Sequence, residues 1–261
     1  MSVVEATCKP SAADLVIRYT IRLSAAAERM LDPGMSPPRY YQALRRAGLE
    51  VDARRVLAYS MPKRRALWWG CLCAWDGLRD KASERELAAL RAVSDFVLLP
   101  SDERRRAARE ARRRTRQASP AFTLAAAAFF SAGSISTPGG HPVLAPEHLT
   151  GRLVAVTVYL AAAVREARRY RTHLRHYLTL GEEIAQGEHL WPVADAASLG
   201  RHTVGPTSID SRSTNIASAQ PAEPHFTLHS SKHRLLLSEL TGEHKSCGCR
   251  HDSHHHQLQE A

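Results

Sequence analysis

A chain of 261 residues with 44% hydrophobic content is long enough for one large or two small domains and apolar enough to bury a core. Its formal net charge of +10 suits an anionic partner such as an acidic protein or nucleic acid, although 31 of its 36 bases are arginine, which fits plain compositional bias equally well. Five scattered cysteines exclude a disulfide framework, no basic-then-apolar leader is present, and the longest apolar run (153–164) falls short of the ~20 residues a bilayer span needs. A cytoplasmic protein without membrane insertion is expected.

The aromatic residues divide the chain. Fifteen of sixteen lie at or before Trp191, and only Phe226 lies beyond it. A segment without large rings has little buried area to set against its ordering entropy. The division gives a flexible N-terminus (1–10), a helical domain (11–191) and a largely disordered His/Ser-rich tail (192–261).

In chain order, apolar spacing predicts a helix over 14–31, stopped by Asp32-Pro33-Gly34. Ser36 caps a helix opening on Pro37-Pro38, and a short helix follows over 52–59. The next runs from Pro62 to Leu78 with one apolar face through Leu67, Trp68, Cys71, Leu72, Trp75 and Leu78. Ser83 and Glu86 form a capping-box pattern ahead of a helix ending near Pro100. A basic helix runs from Ser101 to about Gln117, and an Ala-rich one starts at Ser119-Pro120. Residues 134–146, with three prolines and two glycines, read as a loop before two last helices over 147–166 and 169–186. The fold class is all-α: eight or nine helices as antiparallel pairs or a short helical-repeat-like stack, plus the C-terminal tail.

The stretch Met61-Pro62-Lys63-Arg64-Arg65-Ala66-Leu67-Trp68-Trp69-Gly70-Cys71-Leu72-Cys73 resembles the signature helix of an uncharacterised bacterial all-helical family, a domain of unknown function. Residues 126–134 and 177–192 are similar to it too, so the resemblance covers roughly 30–192. Arg65 departs from the pattern, standing where the family places an acid. The resemblance implies a helical bacterial protein and supplies no activity.

Four groups of residues carry chemistry worth weighing. Lys63, Arg64 and Arg65 occupy a helix's first turn, where positive charge opposes the macrodipole. They form either an edge for an acidic partner, together with Trp69, or a turn neutralised by acids such as Glu50 or Asp52. Arg104, Arg105, Arg109, Arg112, Arg113 and Arg116 belong to a helix with enough positive charge to grip phosphates, or to form a solvated outer face. Cys71 and Cys73 face different directions on one helix and read as small buried hydrophobes, while His173 and His176 lack a third ligand. In the tail, Cys247, Cys249, His251, His254, His255 and His256 are donors for adventitious zinc or nickel.

No nucleophile–base set, phosphate loop or dinucleotide glycine pattern appears. The expected function is therefore a non-enzymatic scaffold or adaptor that needs no cofactor and binds another protein. Sequence-independent nucleic-acid binding by the arginine helix and metal binding by the tail are the alternatives.

Overall fold

The computed structural model describes residues 10–191, and among these it is all-α, with one isolated bridge between Ser134 and Leu144 as the only extended pairing. The helices are α1 (Ala12–Tyr19), α2 (Ala25–Arg29), α3 (Pro37–Arg46), α4 (Glu50–Ser60), α5 (Lys63–Leu78), α6 (Glu84–Leu98), α7 (Asp102–Arg113), α8 (Pro120–Phe129), α9 (His148–Arg165) and α10 (Tyr170–Gln186). Short 3₁₀ turns precede α6 and α10.

Local chemistry sets most of the boundaries. Ser83 and Glu86 satisfy each other's backbone N–H groups at the start of α6, as the sequence pattern requires. Ser11 and Asp14 do the same for α1. Proline at the first two positions of α3 and the first of α8 removes N–H groups that would have no partner there.

The helix expected over 14–31 divides in two. Thr20 adopts a left-handed conformation (φ 50°) that closes α1, and the Ser24 hydroxyl then accepts the Ala27 N–H to open α2. Ile17, within α1, is 77% exposed. α7 also ends earlier than expected, at Arg113. The Thr115 hydroxyl donates to the carbonyls of Ala111 and Arg85, which turns the chain and ties the end of α7 to the start of α6.

α5 differs most from its pattern. Every residue from Ala66 to Leu78 except Asp76 is buried, so the expected single apolar face is instead a helix enclosed on all sides. It packs most extensively on α9 and also meets α4, α6, α8 and α10. Gly77 sets the closeness of the α5–α9 approach, since a Cβ there would lie 2.6 Å from the Ala161 carbonyl oxygen. Consecutive helices pair elsewhere, as α3 with α4, α6 with α7, and α7 with α8. A repeat stack confines contacts to neighbours, so one helix meeting five others favours pairs around a central element. No helix among the described residues is long and apolar enough to cross a membrane.

Candidate functional site

The three cations opening α5 oppose their own helix dipole but face the C-terminal ends of three others. Lys63 Nζ donates to the Ser131 carbonyl just beyond α8 (3.2 Å), and Arg64 donates to the carbonyls of Val97 (2.6 Å) and Leu98 (2.9 Å) at the end of α6. Arg65 donates to Ala185 in the last turn of α10 (2.9 Å). Unpaired carbonyls and the negative end of the dipole gather at such termini, so the cluster is a shared cap. Trp191 seals it, with its ring 4.2 Å from the Arg64 guanidinium and edge-on to Trp68.

Neither acid expected to neutralise this turn does so. Glu50 pairs with Arg175 (2.6 Å), and Asp52 accepts from Ser24 and Arg55. Trp69, expected at the surface edge, has no exposed area. Its indole N–H donates to the Tyr177 carbonyl (2.8 Å), and Gly181 makes room for its ring. Because α5 is the central helix, pointing away from one apolar stripe still leads into the core.

The basic helix α7 is also used from within over most of its length. Arg105 is 1% exposed, donates to the carbonyls of Phe129 (2.8 Å) and Ser134 (2.7 Å), and reaches Asp102. Arg106 and Arg105 together hold the Asp102 carboxyl below its ordinary range. Arg104 donates to the Leu99 carbonyl, Arg109 lies over the Phe129 ring and Arg112 over the Phe122 ring. Of the six arginines read as either a phosphate grip or a solvated outer face, Arg113 and Arg116 are exposed and the other four are buried or half-buried.

Those two open onto a hollow of about 690 Å³ between the end of α7 and the start of α6, lined by Ser83, Glu84, Arg85, Arg113, Arg114, Thr115 and Arg116. All four arginines are exposed. Arg113 and Arg114 share Glu110 at 3.2 and 3.9 Å, while Arg85 and Arg116 have no carboxylate at ion-pair distance among the described residues. Arg85 is not legible in sequence as a member of this set, because it stands far from the arginine run and the packing of α6 on α7, with the Thr115 bond, brings it across.

A half-buried polar cluster surrounds Asp76, which accepts from Tyr177 (2.8 Å), Arg165 (3.0 Å) and the exposed Arg79 (2.8 Å). Burial, with the nearby Cys73 and Asp76, drives the Tyr177 phenol far above its ordinary pKa. The cluster thus holds a hydroxyl that stays protonated and a carboxylate whose bonding capacity is taken up. Cys71 and Cys73 are buried free thiols, as their spacing suggested, and burial lifts Cys71 to about 12.

Among the described residues no group of three or more His, Cys, Asp or Glu is placed to hold a metal ion. The donors Cys247, Cys249, His251, His254, His255 and His256 lie outside the described residues.

"Family of unknown function (DUF6931)" matches residues 40–185, which span α3 to α10 almost completely. No curated protein and no solved structure matches the chain. With more than half its length matched, the chain belongs to that family.

Proposed function

We propose that this member of the family is a non-enzymatic, cytoplasmic adaptor that holds an acidic segment of another protein in the hollow between α6 and α7. The observation that carries the reading is the set of four exposed arginines, Arg85, Arg113, Arg114 and Arg116, around one concavity. Several cations converging on a hollow attract carboxylates and speed encounter with an acidic partner. Arginine's planar fork also suits bidentate carboxylate pairing.

The Asp76 carboxylate is taken up by Tyr177, Arg165 and Arg79, which suits a structural role for that cluster, and the reading requires no cofactor. Free buried thiols suit a reducing compartment. Nucleic acid is the weaker partner, because five arginines of α7 are engaged by carbonyls, a carboxylate or rings of the fold and offer no continuous stripe to a phosphate backbone.

The test is capture from native cells with the wild-type chain and Arg113→Glu/Arg114→Glu/Arg116→Glu, with and without nuclease. Expected is a protein partner that survives nuclease and is lost in the variant. Capture equal in both, or abolished by nuclease, contradicts the reading.

A further inference from the structure

Among the described residues, one buried cation makes no ion pair. Arg54, in the middle of α4, is 6% exposed, and its Nε and Nη1 are sealed from solvent with no acceptor. The neighbouring carboxylates are committed elsewhere, Asp52 to Ser24 and Arg55 and Glu50 to Arg175. Burial, followed by repulsion from Arg55, lowers the guanidinium to about 10, which still leaves it fully charged at neutral pH. A buried donor without an acceptor is costly, and a buried charge without a partner more so.

The Asp52 carboxylate acts on the guanidinium without bonding it, and the direct contact recorded among the described residues is the Tyr159 ring, 4.9 Å from the guanidinium carbon. That ring is itself 38% exposed, so Arg54 is one side chain removed from solvent. Tyr159 sits edge-on to Tyr170, which lines a hollow of about 180 Å³ together with Arg171 and Leu174. Val156, one turn before Tyr159 on α9, is exposed as well.

We propose that Arg54 is an anion receptor, whose guanidinium takes the oxygens of a carboxylate or phosphate group that reaches it by displacing the Tyr159 ring. The ligand supplies the acceptors that Nε and Nη1 lack, and the apolar patch of Val156 and Tyr159 flanks its entry. Arginine is required because lysine at this depth would shed its proton, whereas the guanidinium keeps its charge. This site is separate from the α6–α7 hollow.

The test is thermal melting of the full chain in chloride, acetate and phosphate at matched ionic strength, for the wild type and for Arg54→Met. A ligand bound only to the native state raises the melting temperature by about 3–6 °C in tenfold excess over its Kd. Expected is a rise in phosphate or acetate over chloride that Arg54→Met abolishes. The anion that acts identifies a phosphoryl or a carboxylate ligand. In chloride, Arg54→Met is expected to melt no lower than wild type, since an unpaired buried charge is replaced by an apolar chain of similar length. No anion-specific rise, or one that persists in Arg54→Met, overturns the proposal. Should that variant fail to fold, Tyr159→Leu decides: uncovering the guanidinium enlarges the phosphate response, and an unchanged or smaller response overturns the proposal.

Discussion

The Arg64 guanidinium donates from Nε to the Val97 carbonyl at 2.6 Å and from Nη2 to the Leu98 carbonyl at 2.9 Å, joining the first turn of α5 to the last turn of α6. The relationship accounts for a charge pattern that opposes its own helix dipole, because the same cations complement three helix ends aimed at them. Arg64→Met strands those carbonyls and is expected to lower stability by about 1.5–3 kcal/mol, the range for hydrogen bonds to a charged group. Urea denaturation checks it, as a lower midpoint with an unchanged slope. Lys63→Met, at an exposed side chain with one 3.2 Å bond, should shift the midpoint far less.

Gly77 is the second point of stress. A methyl group there meets the Ala161 oxygen, Cα and carbonyl carbon at 2.6 to 2.9 Å, all of them backbone atoms that cannot rotate away. Gly77→Ala is expected to force α5 and α9 apart and to cost about 1–3 kcal/mol despite its better helix propensity. A calorimetric melt shows the loss as a drop of about 2–4 °C per kcal/mol.

Glu86 gives the fold a defined response to acid. Burial alone would raise its pKa, but hydrogen bonds from Ser119 and from the Ser83 N–H and hydroxyl outweigh it and hold the carboxyl below 4.5. A group depressed on folding contributes stability above its unfolded pKa and loses it as pH falls through the folded value. Wild type should therefore exceed Glu86→Gln by a constant margin at neutral pH, and the margin should close below about pH 4.5. Chemical denaturation across pH 3–7 measures it (an approximate window set by that pKa).

The fold class and most helix starts were legible because they rest on local chemistry: Ser83 with Glu86, proline after Ser36 and after Ser119, and the glycine and proline stops. The break at Thr20 was not, since nothing in a threonine announces a left-handed residue. Placement was harder than helicity. Trp69 reads as a surface group by its helical angle and Arg105 by its place in a charge run, and both are buried because α5 and α7 are covered from directions that only the tertiary packing defines. Arg54 carried a usable signal, standing three and four residues before the buried Leu57 and Ala58 and so on the inward stripe of α4. Arg85 carried none, because its partners arrive through the Thr115 turn.

The thiols offer a check on the core. Burial raises Cys71 to about 12 and Cys73 well above its ordinary value, so neither forms thiolate at pH 8 in the native state. With Cys8, Cys247 and Cys249 replaced by serine, a thiol reagent at pH 8 is expected to label nothing until denaturant is added and then to label two groups. Rapid labelling of the native chain would mean that α5 is not enclosed as described.

The central claim is that the hollow between α6 and α7 receives carboxylates. The most direct measurement is the fluorescence titration of a labelled oligoglutamate peptide, with duplex DNA in parallel, into the wild type and into Arg85→Ala/Arg113→Ala/Arg114→Ala/Arg116→Ala. Expected is saturable binding of the peptide by the wild type, weakened about tenfold or more in the variant and by added salt. Equal peptide affinity in the two proteins, or a wild type that binds the duplex and not the peptide, would contradict it.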